Sequence, residues 1–371
     1  MSVERHYFPG NNTPLGFFSY YKHILGQREA NKIVCIKGGP GTGKSTFMNR
    51  IAEYFASMDE DIDYLHCSAD ENSLDGIVLK DRRIAVIDGT SPHITDPVTP
   101  GAVDKIVNLG EFWDEEAIAV NKSEIIDLNE ETSRWYRIAY NYLSAAKSVY
   151  RSLEEIYNDD SEDSEIYKVV ADIVGSDLDI SLKPGKRKKF FASAITGDGV
   201  VNYITSLLGD MKRVYMIDSP VGYSNSSFME IVTEGAIYRG LDVEVYYCPM
   251  CPEEKIEHIV IPELKTAFVT MNRYHDIQPW EIPAPDESGQ EIILIDMEDY
   301  MNILNIGKNS ELIQSLNEEY DILLNKSVKH LSLARDAHLM VEKMYIPNMN
   351  FTQLSDMRDK LQTELAAIKA E

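Results

Sequence analysis

Apolar residues along this chain fall into short runs separated by longer amphipathic stretches, and the two kinds alternate. Lys32 to Lys37 and Arg213 to Asp218 are β-rich runs. Each leads through a glycine-containing turn into a stretch of helical periodicity, where Phe47, Met48, Ile51 and Phe55 share one face in the first case. Further short strands are predicted around Asp63 to His66 and Ile84 to Asp88, with later counterparts at Val243 to Tyr247 and Thr266 to Thr270. Strands that alternate with helices predict an α/β fold with a parallel sheet and right-handed crossovers. Beyond a proline-rich connection comes another apolar stretch, Val103 to Leu109 or Ile292 to Met297. Long helical patterns follow over Lys122 to Tyr157 and Glu311 to Tyr345. Their aromatics, including Trp135, Tyr136, Tyr140 and Tyr150, read as core, so each unit is expected to carry a helical appendage.

The early and late elements are two copies of one unit. His6-Tyr7-Phe8 lies over Lys189-Phe190-Phe191, and Thr13, Gly16, Tyr20 and Leu25 fall on Thr196, Gly199, Tyr203 and Leu208 at one constant displacement. After small gaps, Ile36, Gly41, Phe47 and Cys67 meet Ile217, Gly222, Phe228 and Cys248, while Asp75, His93 and Pro97 meet Glu257, His275 and Pro279. Leu128-Asn129-Glu130-Glu131 then matches Leu316-Asn317-Glu318-Glu319. Matches that keep chain order over such lengths imply a tandem duplication. The expected organisation is a first unit at 1–160, a linker at 161–188 and a second unit at 189–371. Around that boundary an acidic run starting at Asp159 and the basic run Lys183 to Lys189 read as solvated charge, with an anion site or an interdomain contact as alternatives for the basic run.

One motif carries chemistry. Gly38-Gly39-Pro40-Gly41-Thr42-Gly43-Lys44-Ser45 fits G-x-x-x-x-G-K-[ST], and it stands after an apolar strand and at the start of an amphipathic helix. Such a loop turns backbone N–H groups around phosphate oxygens, and the helix N-terminus adds partial positive charge. Lys44 would reach the β- and γ-phosphates, Ser45 would ligate Mg²⁺ and Thr46 would assist at the α-phosphate. Asp88, at the end of its apolar strand, is the expected acid supporting Mg²⁺, with Asp63 and Asp70 as alternatives. The expected catalytic pair is therefore Lys44 and Asp88. Gly89 follows Asp88 where many ATPases place a glutamate, so the general base stays open among His93, Asp75 and Asp70. Arg82, Arg83, Arg134, Arg137 and Arg213 are candidates for stabilising transferred phosphate, and Arg273 could be offered from the second unit as a finger.

Through Gly38, Gly43, Lys44 and Ser45 the first unit resembles the P-loop NTPase superfamily at its Walker A motif. The G-x-P-G-T-G-K-S-T loop, together with the later segment Asp88-Gly89-Thr90-Ser91-Pro92-His93, is similar over nearly the whole chain to a bacterial family of tandem P-loop ATPases. The resemblance implies ATP and Mg²⁺ as ligands and ATP hydrolysis as the reaction. ATP is expected over GTP because no N-K-x-D type guanine signature is evident downstream of the loop. In the second copy Ser219, Ser224 and Asn225 replace Gly38, Gly43 and Lys44, and Thr270 replaces Asp88. The loss of cation and acid together marks that copy as degenerate, structural or regulatory, packed on the first as an intramolecular pseudo-dimer. His275 and Glu257 persist there without the rest of the chemistry, which argues for structural roles for His93 and Asp75. A small-molecule kinase, or a nucleotide-dependent switch with little turnover, are the alternative functions.

Composition narrows the partners. The 371 residues carry 36 Lys and Arg against 61 Asp and Glu, a net charge of −25, so the overall field repels nucleic acid and anionic membranes. A nucleoside triphosphate is the expected partner, with a small-molecule or protein partner open. A hydrophobic fraction of 44% indicates a folded globular chain. No apolar run approaches the roughly 20 residues a membrane span needs, and the start lacks a signal-peptide core, so a cytoplasmic location is expected. Cys248-Pro249-Met250-Cys251 could be redox-active or half a zinc site, but is read here as a strand-end pair.

Overall fold

The computed structural model describes residues 2–92, 95–157, 163–223, 226–283 and 289–370. The first half holds β1 (Glu4–Tyr7), β2 (Gly10–Thr13), β3 (Gly16–Ser19), β4 (Lys32–Lys37), α1 (Lys44–Ala56), β5 (Ile62–His66), β6 (Leu74–Leu79), β7 (Ile84–Asp88), β8 (Asp104–Asn108), α2 (Glu115–Ala119), α3 (Lys122–Tyr157) and α4 (Asp163–Ser176). The second holds β9 (Arg187–Phe190), β10 (Ser193–Thr196), β11 (Gly199–Asn202), α5 (Ile204–Leu208), β12 (Arg213–Asp218), α6 (Ser226–Tyr238), β13 (Val243–Tyr247), β14 (Ile256–Ile261), β15 (Thr266–Met271), β16 (Glu291–Asp296), α7 (Ile303–Lys308), α8 (Ser310–Tyr345) and α9 (Phe351–Ala366).

Two six-stranded sheets result, ordered β1-β5-β6-β7-β4-β8 and β9-β13-β14-β15-β12-β16. The orders are equivalent strand for strand, as the duplication requires. The expectation of a parallel sheet is corrected: both sheets are mixed. In the first, β6 runs antiparallel to β5 and to β7, and in the second β14 does the same between β13 and β15. The cause is connection length. A parallel crossover needs a dozen or more residues, and neither Cys67 to Ser73 nor Lys80 to Arg83 provides them, so the chain reverses in hairpins. All six residues of β6 are buried, and such a run carries no alternation to mark it as a strand.

Near the approximate two-fold axis the halves bond to each other. Phe8 N donates to Phe191 O at 2.8 Å and Phe191 N donates to Phe8 O at 3.0 Å, equivalent residues exchanging equivalent bonds. Arg5 adds a buried ionic tie, with Nε 2.8 Å from Asp63 Oδ1 in its own half and Nη1 2.8 Å from Glu244 Oε2 in the other.

The helical appendages also depart from expectation, since they do not remain with their own units. Both α3 and α8 have 36 residues, about 54 Å at the rise of an α-helix. They pair antiparallel, with Tyr150 beside Tyr320 and Ile125 in one cluster with Val341. Each helix carries its chain past its own sheet, and the next helix is delivered to the other half. Thus Ile166, Val170 and Ile173 of α4 share a core with Phe228, Met229 and Val232 of α6. Reciprocally, Leu354, Leu361 and Leu365 of α9 share a core with Phe47, Met48, Ile51 and Phe55 of α1. The expected linker therefore contains a helix that completes the second core. Its basic run is paired: Lys183 with Asp242, Lys186 with Glu29 across the halves, and Arg187 with Glu230 and Glu234. Among the described residues no helix is long and apolar enough to cross a membrane.

Candidate functional site

The glycine-rich loop connects the carboxyl end of β4 to the N-terminus of α1. Gly41 and Gly43 have φ of +66° and +80°, a region that L side chains rarely adopt, so the tight reversal depends on glycine at both positions. Thr42 Oγ1 donates to Gly39 O at 2.9 Å and steadies the turn from within. Lys44, the first residue of α1, folds back over the loop. Its Nζ donates to Gly38 O and to Gly39 O, each at 3.0 Å, and lies 3.6 Å from Asp88 Oδ2.

Asp88 reaches this place because β7 is hydrogen-bonded in parallel to β4, which brings both carboxyl ends to one edge of the sheet. Its Oδ1 accepts from Thr90 N at 2.8 Å, and Thr90 Oγ1 donates to Gly38 O at 3.0 Å, so the acid and the loop are tied together. Ser45 Oγ accepts from Leu74 N at 3.0 Å, which places the hydroxyl at the start of β6. Lys44 and Asp88, named from sequence in separate segments, thus meet, while the Ser45 hydroxyl faces the neighbouring strand. Pro40 and Thr46 stand in the same loop and first helical turn.

The antiparallel course of β6 brings a second acid to this edge. Gly76 is paired with Ile87, so Asp75, one residue earlier, stands beside the end of β7 where Asp88 sits. It is buried at 3% exposure. Burial, and then the Asp75 carboxylate, push the Tyr21 hydroxyl and the Cys67 thiol well above their ordinary values. Sequence reasoning leaned toward a structural role for Asp75 because its counterpart Glu257 persists in the second copy, and it did not identify β6, the strand that sets Asp75 beside Asp88.

The second half also reaches the loop, which sequence reasoning did not anticipate. A Cβ on Gly41 would stand 2.9 Å from Glu342 O and 3.0 Å from Ile346 Cγ1, and one on Gly39 would stand 3.4 Å from Tyr345. The end of α8 therefore packs on the crest of the loop.

The other sequence candidates lie elsewhere. Asp63 is consumed by Arg5, and Asp70 accepts from Ser73 Oγ at 2.7 Å in the turn before β6. His93 lies outside the described residues. Arg82 pairs with Glu60 and covers Phe55, and Arg213 pairs with Glu291. Arg83 sits in the β6–β7 turn at a φ of +50°. Arg134 and Arg137 line a shallow groove on α3. Arg273 is held in its own half by Asn317 and Asp321, so it does not act as a finger toward the first loop in this structure.

In the second half the equivalent loop is filled by protein. Val221 and Tyr223 are buried, and a Cβ on Gly222 would stand 2.5 Å from Leu153 Cβ of α3. Ser224 and Asn225 lie outside the described residues. Beside this loop is a small cleft of about 40 Å³, lined by Tyr150, Cys248, Lys255, Glu257, His275 and Tyr320 among others. Glu257, His258 and His275 are buried, each offering a ligand atom within 4.8 Å of the others. They do not suit a metal ion. His258 Nδ1 accepts from Thr270 N at 3.2 Å, so the neutral ring carries its proton on Nε2 and has no lone pair there to offer an ion.

Comparison of the chain with family models, with curated proteins and with solved structures finds no match.

Proposed function

We propose that the N-terminal half binds a nucleoside triphosphate with Mg²⁺ and hydrolyses it, and that the C-terminal half serves as a structural brace. The observation that carries this reading is the meeting of a helix N-terminus, the Lys44 ammonium and the Asp88 carboxylate at one sheet edge, with Lys44 Nζ 3.6 Å from Asp88 Oδ2. The donor set suits a magnesium nucleotide: a hydroxyl and a carboxylate are hard oxygen donors, and positive-φ glycines leave backbone N–H groups unshielded by side chains. Lys44 would leave the two carbonyls it now engages and bind the β- and γ-phosphate oxygens. Ser45 and Asp88 would hold Mg²⁺, which supplies charge neutralisation on the phosphates. Asp75 would orient a water beside Asp88. Catalysis of this kind rests on positioning and electrostatics. ATP is the expected nucleotide.

The test is nucleotide binding and phosphate release by the full-length protein, its Lys44→Ala variant and its Asp88→Asn variant. Either substitution is expected to lower turnover by about 10²- to 10³-fold, the scale of losing one electrostatic contact to the transition state. Unchanged affinity and turnover in Lys44→Ala would overturn the proposal. Phosphate release only when a small-molecule acceptor is added would point to a kinase, and tight binding without release to a switch.

A further inference from the structure

The exchange that delivers α9 to the first half also brings an aromatic ring to the glycine-rich loop. Phe351 opens α9, and its Cε1 lies 3.6 Å from where a Cβ on Gly43 would stand. Apart from the chain neighbours of Gly43, no other atom of the described residues comes within 4 Å of that point, so the ring borders open space. The backbone around it is fixed on both sides. Asn350 N donates to Phe112 O at 2.7 Å, Asn350 Oδ1 accepts from Gln353 N at 3.1 Å, and Leu354 is buried in the core with α1. Phe351 itself stays 43% exposed.

We infer that Phe351 is the platform on which the base of the bound nucleotide stacks, so that the C-terminal half supplies the nucleoside contact and the N-terminal half the phosphate contacts. The inference rests on the proposed nucleotide site and adds the base to it. Thr46, assigned to the α-phosphate, follows Gly43 by about one helical turn, so the nucleoside leaves the loop where α1 begins, beside the ring. A ring held at its backbone and open on its face can take a base without leaving a core. Every base has a π-face, so such a stack favours a nucleotide over bare polyphosphate and chooses little between bases.

The duplication supplies an independent observation. Helices α3 and α8 start at Lys122 and Ser310, and α4 and α9 start at Asp163 and Phe351, the same displacement in both pairs. Phe351 therefore corresponds to Asp163 in sequence, while Leu354 and Leu361 correspond to Ile166 and Ile173, all four in a core. The positions that pack are apolar in both copies. The position that opens the helix is aromatic only in the copy that keeps Lys44 and Asp88, and an acid, which favours no polyphosphate nearby, takes its place in the other. The difference follows the chemistry of the loop and not the packing of the helix.

The experiment measures, by calorimetry, binding of Mg-ATP and of magnesium tripolyphosphate to the full-length protein and to its Phe351→Ala and Phe351→Tyr variants. The two ligands share the phosphate chain, so a difference between them reads the nucleoside. Phe351→Ala is expected to weaken ATP by about tenfold, the scale of losing one base–aromatic stack, and to leave tripolyphosphate unchanged. Phe351→Tyr keeps a ring and should restore the affinity for ATP. Unchanged ATP affinity in Phe351→Ala, or an equal loss for both ligands, would overturn the inference, the equal loss showing that the ring only shapes the loop. Native protein that bound neither ligand would overturn the nucleotide reading and this inference with it, so the two failures are distinguishable.

Discussion

Leu361 is the residue through which the exchange of helices between the halves can be tested. It lies in α9, near the end of the chain, yet it is 1% exposed within the cluster formed by Phe47, Met48, Ile51 and Phe55 of α1. Next to it, Gln362 Nε2 donates to Arg50 O at 2.9 Å, so the contact is polar as well as apolar. Replacing a buried leucine by alanine costs about 2–5 kcal/mol, depending on how far the site can collapse. Ile51, Phe55 and Leu365 are each at 0% exposure, with little freedom to fill the space, which favours the upper part of that range. At about 1.4 kcal/mol per tenfold change, native-state hydrogen exchange of the α1 amides should accelerate by about 30-fold to a few thousandfold. The acceleration should concentrate in α1, β4 and β7. The mirror variant Ile173→Ala, on α4, should instead loosen α6. If Leu361→Ala accelerated α6 as much as α1, or cost less than about 1 kcal/mol in urea denaturation, the exchanged packing would be refuted.

Arg5→Ala should destabilise the protein by about 3–5 kcal/mol, because it leaves the Asp63 and Glu244 carboxylates facing each other without a cation, and adding Asp63→Asn with Glu244→Gln should recover part of the loss in the same urea titration. Gly41→Ala must place a Cβ at a φ of +66° and 2.9 Å from Glu342 O, so nucleotide affinity should fall and the end of α8 should lose exchange protection, while α6 keeps its own. Burial holds the His66 imidazole at about 4, below its ordinary 6.5. Between those values the unfolded chain takes up a proton that the folded one refuses. The stability contributed by the neutral ring is therefore complete above pH 6.5 and falls by up to about 3 kcal/mol as pH drops toward 4. Melting temperatures across that window should drop more steeply for the native protein than for His66→Asn.

What the amino-acid order determined by itself is local or repeated. Helical spacing placed Phe47, Met48, Ile51 and Phe55 on one buried face, and an apolar run ending in Asp88 marked an interior strand with an acid at its end. The glycine loop with Lys44 and Ser45 was legible because its chemistry needs consecutive residues. The duplication was legible because two copies preserve chain order, and the equivalent sheets and the reciprocal Phe8–Phe191 bonds fit it.

Tertiary structure decided the rest, for reasons that periodicity does not encode. The uniformly buried β6 has no alternation, and only its antiparallel seat shows that Asp75 stands beside Asp88. Partnerships such as Phe351 with Gly43, Arg5 with Glu244, and the end of α8 with Gly41 join residues far apart in the chain. Which sheet a helix covers depends on the length and direction of the helix before it. Two long antiparallel helices carry α4 and α9 across the molecule, and each then buries its apolar face on the sheet where it lands.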